Sequence, residues 1–116
     1  MRWKAVSALG RRLPEVAEGR TYGARALAVR GSLVARLLDD KKSIVVKVDP
    51  QRRTVLCESH PAAFTVTPEV QNYSLMVVRL RAVGPDELWP ILVESWRMSG
   101  PPGLTAGHDP PGSTPS

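Results

Sequence analysis

Residues 26–49 hold three short runs of alternating hydrophobic positions: Ala26 to Arg30, Leu33 to Leu38 and Ser43 to Val48. Gly31-Ser32 and Asp39-Asp40-Lys41-Lys42 separate them. Alternation with period two, broken by turn residues, predicts a three-stranded antiparallel meander. A two-residue turn at Gly31-Ser32 sets Arg30 opposite Leu33 and Ala28 opposite Ala35. A four-residue turn sets Leu37 opposite Ile44 and Ala35 opposite Val46. Ala26, Ala28, Leu33, Ala35, Leu37, Ile44, Val46 and Val48 then share the predicted core face. The other face carries Leu27, Val29, Val34, Arg36, Leu38, Val45 and Lys47, apolar but interrupted by two cations. Leu75 to Val83 predicts a further strand, with Met76, Val78, Leu80 and Ala82 turned to the core and Leu75, Val77, Arg79, Arg81 and Val83 turned away.

Helical spacing appears at both ends. Val6, Leu9 and Leu13 recur at steps of three and four, and Pro14 stops that helix near Arg12. A connector follows through Gly19 and Gly23. Asp49-Pro50 supplies a capping carboxylate and a first-turn proline for a short helix to about Ser59, burying Val55 and Leu56. Ala63 to Thr67 reads as a short strand and Pro68 to Ser74 as a loop. Pro85-Asp86-Glu87 opens a last helix through Leu88, Ile91, Leu92, Ser95 and Trp96, with acidic residues at its positive end. Pro90 inside it predicts either a kink or a tightened first turn. Residues 100–116 contain five prolines and four glycines and read as a disordered tail after a domain over residues 1–99. The expected class is two-layer α+β, roughly α-β-β-β-α-β-β-α, with an antiparallel sheet and helices on one face.

A length of 116 residues suits one domain, and 42% hydrophobic with 23% charged residues is the balance of a chain that folds unaided. Apolar runs fall far short of the roughly 20 residues that a membrane span needs, and Met1-Arg2-Trp3-Lys4 leads into no signal-like core. A cytoplasmic protein is expected. The single cysteine, Cys57, excludes an intrachain disulfide, and His60 and His108 are too far apart for an ordinary zinc site. No metal or cofactor is expected. No glycine-rich phosphate loop is present. Cys57 and His60 lie three apart, a spacing that alone makes no catalytic pair, and the burial preference of free cysteine favours a half-buried structural residue. Asp39-Asp40 suits turn chemistry, Glu15 and Glu18 suit solvated loop charges, and Trp89 and Trp96 suit core anchors. The expectation is a protein that is not an enzyme.

Several segments, in order, resemble the MmcQ/YjbR family. They are Leu13-Pro14-Glu15-Val16, Tyr22-Gly23, Val29-Arg30-Gly31-Ser32-Leu33-Val34-Ala35-Arg36-Leu37, Val46-Lys47-Val48-Asp49-Pro50, Phe64-Thr65-Val66-Thr67, Val78-Arg79-Leu80, Asp86-Glu87-Leu88 and Ser95-Trp96. The resemblance covers about residues 5 to 98. It implies a double-wing DNA-binding-like, or secretion-chaperone-like, α+β domain. Members are commonly labelled DNA-binding on the strength of fold similarity. Relatives often have a histidine-tyrosine pair where this chain has Glu69 and Val70, and a tryptophan where it has Leu75.

A net charge of +5 permits an anionic partner. Arg36, Lys47, Arg79 and Arg81 are expected on the solvent face of the sheet, with Lys41 and Lys42 at a hairpin tip. With no aromatic residue on that face, they would favour phosphate contact over base reading, giving weak, non-specific DNA binding. The alternative is a protein-interaction or self-association module, a homodimer included, using Leu27, Val29, Val34, Val45 and Val77 as an exposed apolar patch. The bland reading is that Arg and Lys stems simply cover apolar sheet.

Overall fold

An antiparallel sheet of six strands organises residues 1–100, the part of the chain that the computed structural model describes. The strands are β1 (Val16–Thr21), β2 (Ala24–Val29), β3 (Ser32–Leu37), β4 (Ser43–Lys47), β5 (Phe64–Thr65) and β6 (Leu75–Arg79), in spatial order β1-β2-β3-β4-β6-β5. Helices α1 (Trp3–Gly10), α2 (Pro50–Ser59) and α3 (Pro85–Ser99) form the second layer. This is the expected α+β class with one more strand. The expected connector is β1, an edge strand whose Ala17, Glu18, Gly19 and Arg20 are all exposed, so no alternation of hydrophobic residues marks it. The predicted disordered tail, apart from Gly100, lies outside the described residues.

The core lies between the sheet and the helices. Leu27, Ala35, Leu37, Ile44, Val46, Met76 and Val78 meet Trp3, Val6, Leu88, Leu92 and Trp96 there, all in one buried cluster. The β3–β4 register is the one the sequence predicts, Leu37 opposite Ile44 and Ala35 opposite Val46. The β2–β3 register is not. Its two central turn residues are Arg30 and Gly31, with φ of 48° and 82°, so Val29 faces Ser32 and Ala28 faces Leu33. Two positive φ angles are what the right-handed twist of a two-residue hairpin requires. A register shift between Leu27 and Ala28 then leaves Val34 as the extra residue of a β-bulge, since Leu27 pairs with Ala35 and Ala28 with Leu33. Beyond the bulge, β2 is offset by one residue from its predicted pairing, which turns Leu27 and Val29 to the core and Ala26 and Ala28 away.

Other departures are smaller. Strand β6 ends at Arg79, and Leu80–Ala82 form a 3-10 turn, so Arg81 leaves the sheet and Val83 is buried. Strand β5 is two residues long. Helix α2 buries no residue fully: Leu56 and Cys57 are half-buried and Val55 is exposed. Glu15 and Glu18 are not merely solvated loop charges. Glu15 pairs with Arg30 at 2.9 Å, and Glu18 accepts hydrogen bonds from the Trp3 indole and the Ser7 hydroxyl. Helix α1 crosses the sheet closely at Gly10, where a Cβ would lie 2.4 Å from a methyl of Leu27.

Local chemistry fixes the remaining ends. Asp49 accepts from the amides of Gln51 (2.9 Å) and Arg52 (3.3 Å), capping α2 with Pro50 in its first turn. Asp49→Ala is expected to cost about 1 kcal/mol, measured by denaturant unfolding. Helix α3 continues through Pro90. It is tied to the sheet by Ser95, which is fully buried; its hydroxyl donates to the Val34 carbonyl at the bulge and accepts from the Lys47 amide at 3.0 Å. Trp96 is also fully buried, and its indole donates to the Pro14 carbonyl at 2.9 Å.

Candidate nucleic-acid interface

The sheet face away from the helices has two unlike halves. Over β4 and β6, the loop after β5 folds back and sets Val70 against Val45 and Val77, with Leu38, Val66 and Leu75 around them. The Arg53 guanidinium holds this loop by donating to the carbonyls of Tyr73 (2.7 Å), Leu75 (3.1 Å) and Gln71 (3.3 Å). Glu69-Val70 and Leu75, where relatives often carry aromatic residues, thus belong to or flank an aliphatic cluster. Over β1 and β2 the face is formed by Ala17, Gly19, Thr21, Ala24, Ala26 and Ala28, whose small side chains leave it flat.

This arrangement overturns the apolar patch expected from the sequence. Leu27, Val29, Val34, Val45 and Val77 are all buried, the first three in the main core and the last two beneath the loop. The β2 residues are buried because the bulge at Val34 offsets the strand by one residue, and the β4 and β6 residues because of the loop.

The cations are distributed along the same face. Arg36 pairs across from Val45, Lys47 from Leu75 and Arg79 from Ser43, so these three side chains leave one side of the sheet at successive levels. Arg79 donates to the Pro61 carbonyl at 3.1 Å. Lys47 is half-buried, its Nζ 3.4 Å from the Ser32 hydroxyl, and burial pulls its pKa down. Arg81 is exposed in the 3-10 turn, apart from this row. Lys41 and Lys42 are exposed at the β3–β4 turn, which Asp40 builds by accepting from the amides of Lys42 (2.8 Å) and Ser43 (2.9 Å).

One aromatic residue joins the cations. Tyr22 and Gly23 turn the β1–β2 hairpin with φ of 53° and 78°, and the Tyr22 ring is 94% exposed. The Arg36 guanidinium sits 6.0 Å from its centroid. On the opposite, helix side of the sheet end a cleft of about 600 Å³ is lined by Tyr22, Arg20, Arg25, Lys41, Asp39, Trp3 and Leu37 among others. Tyr22, Arg20 and Arg25 escape sequence reading because β1 carries no hydrophobic period and Tyr-Gly is not among the usual hairpin pairs.

Two carboxylates here are held below their ordinary range. Glu18 is stabilised by the Ser7 hydroxyl first and then by Trp3, Arg25 and Arg11; Asp40 by the Lys42 amide first and then by Ser43. A depressed folded-state pKa contributes stability above the unfolded value, and that contribution is lost as pH falls through the folded one. The melting temperature is therefore expected to hold down to about pH 5 and to decline below about pH 4, with a shallower decline in Asp40→Asn.

Cys57 is half-buried and burial pushes its thiol pKa up, away from the reactive thiolate. The His60 ring packs edge-on against Phe64 at 6.2 Å. Among the described residues no group of three or more His, Cys, Asp or Glu could hold a metal ion, and no helix is long and apolar enough to cross a membrane.

A search of curated proteins finds no match for the chain. Its fold is similar to the crystal structure of protein DR2400 from Deinococcus radiodurans, which carries a DUF419 domain. The TM-score is 0.78 at 17% sequence identity, over 99% of this chain and 96% of that one. The sequence matches the YjbR family model over residues 11–98. With the match spanning all six strands and nearly all of α3, the chain belongs to the YjbR family.

Proposed function

We propose that the chain binds nucleic acid weakly, by phosphate contact and without sequence reading, through the face bearing Arg36, Lys47 and Arg79 and the hairpin tip bearing Lys41 and Lys42. The observation that carries this reading is the pairing of Arg36, Lys47 and Arg79 on one side of the sheet. Several nearby carboxylates are already engaged: Asp40 in its turn, Glu15 with Arg30, and Glu18 with Trp3 and Ser7. A row of positive charge along one side of the sheet suits a backbone of evenly spaced phosphates. No catalytic step belongs to this reading. The protein-interaction alternative loses its support, because the apolar residues it relied on are buried.

Charge reversal tests the assignment. In a fluorescence-anisotropy titration at low ionic strength, Arg36→Glu and the double variant Lys41→Glu, Lys42→Glu should each weaken binding about tenfold across unrelated oligonucleotide sequences. Undiminished binding by both would remove this face from the interface. Val34→Glu cannot serve as an apolar control, since Val34 is fully buried and the substitution would report unfolding.

A further inference from the structure

We infer that the preferred nucleic acid is single-stranded, with an unpaired base stacking on Tyr22 and its flanking phosphates meeting Arg36 on one side and Arg20, Arg25 and Lys41 on the other. This rests on the nucleic-acid reading above and names the form of the ligand. Three observations support it. Tyr22 is 94% exposed, so its ring contributes almost nothing to packing, and it occupies a left-handed backbone conformation with φ of 53° that a bulky side chain enters only at a cost. Asparagine or glycine would make the same turn with less strain. The hairpin therefore displays a large aromatic ring that the fold does not need.

The second observation is the Arg36 guanidinium 6.0 Å from the ring centroid, which couples the platform to the cationic face. The third is the cleft of about 600 Å³ on the helix side of the sheet end, where Arg20, Arg25 and Lys41 outnumber Asp39. Arg20 and Arg25 stand directly opposite each other on β1 and β2, an arrangement of like charges that is unfavourable in isolation. Glu18 offsets Arg25 in part, and Arg20 donates to the Gly23 carbonyl at 3.0 Å. A bound phosphate would relieve the remaining repulsion. Base faces in a duplex are hidden in the stack, whereas every base of a single strand offers a face to one projecting ring.

The test uses the full chain, a labelled oligothymidine and a labelled duplex of equal length, in anisotropy titrations at low ionic strength. The single strand should bind about tenfold more tightly than the duplex. Tyr22→Ala should remove most of that preference and Tyr22→Phe should retain it, while the melting temperature of Tyr22→Ala stays at or above the parent's. Equal affinity for the two forms, with no change in Tyr22→Ala, would overturn this inference and leave phosphate binding standing if Arg36→Glu still weakens both. Binding to neither would remove the inference and the function beneath it together.

Discussion

Val46→Asp is expected to leave the chain unfolded at room temperature. Val46 lies on β4 between Ala35 and Met76, on the face that meets the helices, and is fully buried. A carboxylate there would have no cationic partner within the apolar cluster that surrounds it. Removing one partner of a buried charge pair costs about 3–5 kcal/mol, and introducing a charge with no partner is at least as unfavourable. The lost packing of the valine adds about 1–2 kcal/mol. Set against a total stability of about 5–15 kcal/mol for a domain, a loss of at least about 4–7 kcal/mol removes all of it in the lower part of that range. Far-ultraviolet circular dichroism with a urea titration checks this. A variant melting like its parent would contradict the pairing of β3, β4 and β6.

Ser95→Ala should destabilise by about 2–6 kcal/mol although it removes a single oxygen atom. The β3–β4 pairing stops at Ala35 and Val46, and just beyond it the Ser95 hydroxyl bridges the Val34 carbonyl and the Lys47 amide. Without it both backbone groups are left in a site where residue 95 is fully buried, at about 1–3 kcal/mol for each unsatisfied group. Denaturant unfolding should show a lower midpoint with an unchanged slope, and hydrogen exchange should quicken at the Lys47 amide. A loss below about 0.5 kcal/mol, within the range of an ordinary surface substitution, would mean that water or backbone adjustment replaces the hydroxyl.

The segments that relate the chain to its family are in large part the ones that build the fold. Tyr22-Gly23 and Arg30-Gly31 take the positive φ angles of two hairpins, Asp49-Pro50 starts α2, and Ser95-Trp96 fastens α3 to the bulge and to Pro14. Their backbone roles announce the architecture and leave the ligand to be argued from the exposed side chains.

Alternation was a sufficient guide wherever strands were buried on one face. It placed Leu37 opposite Ile44 and set Met76 and Val78 toward the core, and by the same parity it turned Arg36, Lys47 and Arg79 the other way. It failed where backbone geometry decides. Both Arg30-Gly31 and Gly31-Ser32 contain the glycine of a tight turn; choosing between them moves the register by two residues and keeps the faces, whereas the bulge at Val34, an offset of one, turns the side chains of β2 over. A bulge leaves no mark in hydrophobic periodicity, and neither does a loop that folds beneath a sheet. Val34 and Val77 therefore read as exposed from the sequence and are buried in the fold. Tyr22 went unrecognised for a related reason: its importance comes from the turn that projects it toward Arg36, not from a repeating pattern.

Phosphate-directed binding is tested most directly by the salt dependence of affinity for a labelled single strand. Each phosphate neutralised releases counterions and contributes about −0.7 to the slope of log K against log salt. With about five cations engaged, the slope should be about −3 to −4, and Arg36→Glu should make it shallower by about one contact. A slope near zero, or no binding even at the lowest ionic strength, would contradict the proposal.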